Sequence, residues 1–90
     1  MSGYTWDDEK AEANLRRHGI TFEEAARVAA SPLSALESDV DHSLEEERVK
    51  VIGWAPTGRL LVVIVSSPGH APRIISARRA TKRERDAYSG

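Results

Sequence analysis

The side chains best suited to chemistry in this sequence are arginines, and they crowd one end of it. Arg73, Arg78, Arg79, Arg83 and Arg85 fall within thirteen residues, with Lys82 among them and Arg59 a little upstream. A guanidinium is a planar fork of donors that matches phosphate and stays charged at any working pH. Tyr88 and Trp54 supply aromatic faces on which a nucleobase can stack. The group reads as a phosphate-binding surface. The plainer alternative is a solubilising basic face, or arginines that hold an acidic loop of the same chain.

Proton-transfer candidates are fewer. Lys10, Asn14 and Arg17 fall on one face of a predicted helix, with His18 beside them. A histidine exchanges protons near neutral pH, but at a helix end it also serves simply to cap the last carbonyls and favour the dipole. The histidines His18, His42 and His70 lie far apart with no metal-ligand spacing, and Asp39, Asp41 and His42 sit in an acidic run that water alone can satisfy. No metal site and no cofactor are expected. There is no Gly-rich phosphate loop, no HExxH and no GxSxG, and the absence of cysteine excludes thiolate ligands, disulfides and a cysteine nucleophile.

Net charge is −1, but it is unevenly spread. Residues 1–58 carry 6 Lys+Arg against 12 Asp+Glu, a balance of −6, and residues 59–90 carry 7 against 2, a balance of +5. The basic end suits a polyanion, although the two halves can also attract each other. Ninety residues with 40% apolar and 30% charged content suit one globular domain over residues 1–90. No apolar run approaches the roughly 20 residues that cross a bilayer, and the first residues lack the basic-then-apolar pattern of a signal peptide. A cytoplasmic protein is expected.

The elements that must position these residues are punctuated by Gly, Pro and capping residues. Asp7 is placed to cap a helix that Gly19 stops. Thr21 and Glu24 have capping-box spacing, ahead of a stripe of Phe22, Ala25, Ala26 and Ala29, and Ser31-Pro32 ends that helix. Residues 33–38 suit a short strand and 39–46 an acidic loop. Over 47–54, Val49 and Val51 face one way and Arg48, Lys50 and Ile52 the other. Residues 59–66 are almost continuously apolar, as in a strand covered on both faces. A loop over 67–72 precedes a last strand over 73–78, in which simple alternation puts Arg78 on one face with Ile74 and Ser76 and turns Arg79 away. Thr81 and Glu84 repeat the capping-box spacing and predict a short C-terminal helix. The expected fold is α+β: two helices, an antiparallel sheet of about four strands, and a helix.

In this order the segments resemble the BrnT family, toxins of bacterial type II toxin–antitoxin pairs. The resemblance rests on Trp6-Asp7-x-x-Lys10, Asn14-x-x-x-His18-Gly19-Ile20 and Phe22-x-x-Ala25. It continues through Asp41-His42, Glu46-Glu47-Arg48, Ile52-Gly53 and Gly58-Arg59-Leu60-Leu61-Val62-Val63. It closes with the run from Arg73 to Thr81 and with Glu84-Arg85 before Tyr88. Residues 66–72 depart from the common pattern, so no catalytic role is assigned to the end of the central strand.

The resemblance implies a RelE-like fold and a metal-independent ribonuclease that blocks translation. It also implies a BrnA-type antitoxin that neutralises the toxin and represses their shared operon, so DNA is met only through the antitoxin. Such an enzyme can use the 2′-hydroxyl of RNA as nucleophile, given a base, cations on the phosphorane and an acid for the leaving oxygen. Arg59, Arg73 and Arg78 are the candidate cations. His18 is the candidate acid or base, with Lys10 and Glu47 as alternatives. Arg48, Lys50, Arg79, Lys82 and Tyr88 are candidate RNA-binding residues. A non-catalytic module that binds nucleic acid or protein, and a degenerate toxin that keeps only its antitoxin interface, are the competing expectations.

Overall fold

The caps read from the sequence set the helices. In the computed structural model, which describes residues 3–38, 48–66 and 72–89, helix α1 spans Asp8–His18 and α2 spans Phe22–Ala30. The Asp7 carboxylate accepts from the N–H groups of Glu9 at 2.8 Å and Lys10 at 3.2 Å. Gly19 stops α1 with φ 71°, a left-handed conformation that glycine adopts without Cβ strain, and its N–H donates to Leu15 O at 2.8 Å. The Thr21 hydroxyl accepts from Glu24 N at 3.1 Å. The Glu24 carboxylate turns elsewhere, as described below.

Strands β1 (Ala35–Ser38), β2 (Arg48–Trp54), β3 (Leu60–Ser66) and β4 (Arg73–Arg79) follow, then helix α3 (Lys82–Ser89). The strands form one antiparallel meander in the order β1-β2-β3-β4. This is the α+β architecture the sequence predicts, with element ends moved by a residue or two. The acidic run and the loop after β3, with Asp39, Asp41, His42, Glu47 and His70, lie outside the described residues. No helix among the described residues is long and apolar enough to cross a membrane.

Helices α1 and α2 cover one face of the sheet. Ile20, Phe22, Ala25 and Val28 pack there on Val51, Leu61, Val63, Val65, Ile74 and Ala77. Trp6 meets the Phe22 ring edge-on, with centroids 6.1 Å apart. On the opposite face Ile52, Leu60 and Val62 form a smaller cluster with Ile64, Ala80 and Tyr88 of α3. Strand β3 is thus apolar from Leu60 to Val65 because both of its faces are covered. Each large side chain so buried stabilises the fold by about 1.5–3 kcal/mol.

One expectation is corrected. Ile74 does not share a face with Arg78, because the β3–β4 register shifts between Ile64 and Val65. Ser76 pairs with Ile64 and Ile74 with Val65, so Ile75 is the extra residue of a bulge. Ile74 is thereby turned into the α1/α2 core, while Ser76 and Arg78 stay on the α3 face.

The outer edge of β4 is closed by two devices. Thr5 pairs in parallel with Arg73, accepting from Ile74 N at 2.8 Å and donating its N–H to Pro72 O at 3.0 Å. Further along, the buried Asn14 side chain takes the place of a neighbouring strand. Its Oδ1 accepts from Ala77 N at 3.1 Å, and its Nδ2 donates to Ala77 O at 2.9 Å and to Ile20 O at 3.1 Å. The sequence places Asn14 in a polar stripe with Lys10, Arg17 and His18; the structure turns it inward and uses it to hold α1 on β4.

Candidate functional site

Strand pairing lays out the α3 face of the sheet as a grid. Arg48, Ser66 and Arg73 fall in one row across β2, β3 and β4. Glu37, Lys50, Ile64 and Ser76 fall in the next, followed by Ala35, Ile52, Val62 and Arg78. The rows lie about 6–7 Å apart and the strands about 4.8 Å apart. Four cations from different parts of the chain, Arg48, Lys50, Arg73 and Arg78, therefore share one face. The Tyr88 end of α3 covers the apolar rows, and the Arg48–Ser66–Arg73 row lies at the other end of the grid.

The junction of α3 with this face carries the strongest electrostatics. Glu84, in the first turn of α3, receives Arg78 Nη1 at 2.8 Å and Nη2 at 2.9 Å, one on each carboxylate oxygen. Lys50 Nζ approaches Oε2 at 3.1 Å, and the Thr81 N–H donates to Oε1 at 2.8 Å. The Thr81 hydroxyl completes the capping box by accepting from Glu84 N at 3.1 Å. Only 17% of the Glu84 side chain is exposed. Its hydrogen bonds from Arg78 hold the carboxyl well below the usual carboxylate range, helped by Thr81 N–H and Lys50 and opposed by burial. Arg78 is held protonated in turn, chiefly by its hydrogen bond to Glu84. An open groove of about 350 Å³ runs beside this pair, lined by Ala35, Glu37, Lys50, Arg83, Glu84 and Tyr88 among others.

The other predicted site residues are placed elsewhere. Arg59, at the β2–β3 turn, donates through Nη2 to Glu24 Oε1 at 2.6 Å and reaches Gly19 O at 3.4 Å. Thr57 donates its hydroxyl to the second Glu24 oxygen. Arg59 thus brackets the α1–α2 junction to the turn, apart from Arg73 and Arg78. Lys10 and His18 line a shallower concavity of about 200 Å³ between α1 and β4, with Asn14, Arg17, Ile75 and Ser76. Ser76 belongs to this concavity and to the second row of the cation grid, so the β4 edge is the ridge between the two. Arg79 is exposed and follows Arg78 on the opposite side of the strand, and Lys82 is exposed at the start of α3. Glu47 lies outside the described residues.

Sequence reading missed Glu84 as a site residue. The Thr81-x-x-Glu84 spacing was its signal, but that pattern speaks of a cap and not of a partner for Arg78. It also missed Ser76, which only the bulge and the edge position of β4 mark out.

These features define an α+β domain of a helix-covered antiparallel meander, with a cation grid on the face shared by its C-terminal helix. Residues 6–84 match the model of the family described as ribonuclease toxin, BrnT, of type II toxin–antitoxin systems. The chain belongs to that family. Its fold is similar to that of the Brucella abortus ribonuclease toxin BrnT, known from a crystal structure at 1.1 Å resolution, with a TM-score of 0.66. The two chains are 24% identical over 88% of this chain and 96% of that one. No curated protein matches the sequence.

Proposed function

We propose that this chain is a metal-independent endoribonuclease that cuts RNA in the cytoplasm, halts translation, and is neutralised by a BrnA-type antitoxin covering its basic face. The observation that carries the reading is the grid of Arg48, Lys50, Arg73 and Arg78 on one side of the sheet. Its rows repeat along the strands, as suits an extended polyanion better than a single small anion. Family membership supplies the reaction class.

In this reading the 2′-hydroxyl attacks the adjacent phosphorus, and the bond to the 5′-oxygen breaks. The products are a 2′,3′-cyclic phosphate and a 5′-hydroxyl end. Arg78 and Arg73 stabilise the charge that gathers on the phosphorane oxygens. Lys50, which meets the same carboxylate as Arg78, stands beside it on the same phosphate, and Arg48 holds a flanking one. The strand crosses the β4 edge at Ser76, which brings the scissile group toward His18 and Lys10 for the two proton transfers. Arg59 serves the fold that presents the site.

The test is purified protein with RNA in the presence of a chelator, with 5′ ends mapped. New 5′-hydroxyl ends are expected from the wild type, and a loss of at least about a hundredfold in rate is expected for Arg78→Ala, the scale of losing one transition-state donor. Cleavage that persists in folded Arg78→Ala would put the site elsewhere. A second reading, a binding module without chemistry, is favoured by one feature: among the described residues the cation grid itself carries no histidine. It predicts salt-sensitive RNA retention with no products.

A further inference from the structure

We infer that Arg78, Lys50 and the Thr81 N–H form a phosphate-class anion site that the chain fills with its own Glu84 carboxylate, so that α3 is a plug that substrate must displace. The inference deepens the reading of this face as the RNA surface and rests on it. The donor set is the first argument. A two-pronged guanidinium, an ammonium and a backbone N–H at a helix start converge on two oxygens, at 2.8, 2.9, 3.1 and 2.8 Å. That set matches the geometry and charge of a phosphate group. A carboxylate anchoring a surface helix needs far less, because one exposed ion pair or one capping bond serves.

The second argument is how lightly α3 is otherwise attached. Of its side chains, only those of Glu84 and Tyr88 are sheltered among the described positions; Lys82, Arg83, Arg85, Asp86 and Ala87 are exposed. Tyr88 rests on the apolar cluster of Ile52, Leu60 and Val62, and its hydroxyl donates to Leu33 O at 2.8 Å. A helix with two points of attachment opens locally at low cost. The third argument is access. The groove beside Glu84 already opens between α3 and strands β1 and β2, and Arg83 overhangs it. An incoming phosphate exchanges with the carboxylate there without unfolding the sheet, and the released Glu84 returns when the phosphate leaves.

The test uses the full chain, Glu84→Gln, and inorganic phosphate as the probe, read by the shift of the Thr81 amide resonance. Glutamine keeps the capping bond to Thr81 but removes the charge. Phosphate is expected to bind Glu84→Gln about tenfold or more tightly than wild type, because a like charge has left the site. The gain should vanish in Arg78→Ala/Glu84→Gln. Tyr88→Ala, which frees the far end of α3, should show a smaller gain of the same sign and serves if Glu84→Gln does not fold. No gain in either folded variant overturns the plug. If wild type cuts RNA but neither variant gains phosphate, the plug fails and the ribonuclease stands. If Glu84→Gln gains phosphate yet RNA stays intact with both proteins, the plug stands and the ribonuclease fails.

Discussion

Asn14 has two donor hydrogens and a carbonyl, and the structure spends them on backbone that would otherwise be buried without partners. A strand edge under a helix has no water to turn to, so the loss of one side chain strands both the N–H and the C=O of Ala77. Asn14→Ala is expected to lower stability by about 2–4 kcal/mol, read from urea unfolding midpoints. An unchanged midpoint would mean that water replaces the amide. The site around Glu84 obeys the same satisfaction logic with charge added. Its depressed pKa gives stability that is present above the ordinary carboxylate pKa, about 4.3, and is lost as the pH falls toward the native value. The stability difference between wild type and Glu84→Gln should therefore be constant near neutrality and shrink below about pH 4. A difference that does not change with pH would deny the ion pair its role.

At the scale of elements, the caps were legible because each is a local pattern of two or three residues. Asp7, Gly19 and Thr81 do what their spacing implies. The run from Leu60 to Ser66 announced a strand covered on both sides, and the alternation in β2 placed Arg48, Lys50 and Ile52 on one face correctly. What could not be read is what depends on a neighbour distant in sequence. The bulge at Ile75 exists because β4 must seat Ile74 in one core while Arg78 meets α3 on the other face. Glu24 has capping-box spacing like Glu84, yet its carboxylate goes to Arg59, which comes 35 residues later. Gly53 is a further case: a Cβ there would stand 3.0 Å from Ser34 Cβ and 3.2 Å from Val28 Cγ1. The approach of α2 and the chain before β1 to β2 demands a bare backbone. Gly53→Ala is expected to cost about 1–3 kcal/mol of stability by thermal or urea unfolding, the scale of overpacking a full core. A neutral effect would show that this junction yields.

At the scale of the whole molecule, the sequence showed a basic half and an acidic half but not where each charge would be used. The fold divides the basic residues among tasks. Arg59 crosses to the acidic half and closes on Glu24. Arg78 is engaged within the basic half by Glu84, and Lys50 comes from the acidic half to the same carboxylate. Arg73, Arg79, Lys82, Arg83 and Arg85 remain exposed. The arginine cluster was thus legible as a resource, while its division into a bracket, a grid and a surface field required the strand order. The grid was half visible, since the β2 alternation supplied Arg48 and Lys50, but their meeting with Arg73 and Arg78 depends on β3 lying between.

The closed margin of β4 bears on how copies of this chain can join. Backbone pairing between molecules needs a strand with an open side. At β4 that side is taken by Thr5 and Asn14, which leaves β1 as the one margin of the sheet with no strand beside it among the described residues. Two molecules that met there would do so by a twofold axis, β1 against β1, and would exhaust both open margins at once. Such a union is self-limiting: it ends at a pair and has no means of extending into a fibre. Thr5 and the Asn14 amide together separate a sheet whose described margins allow only a pair from one that could polymerise.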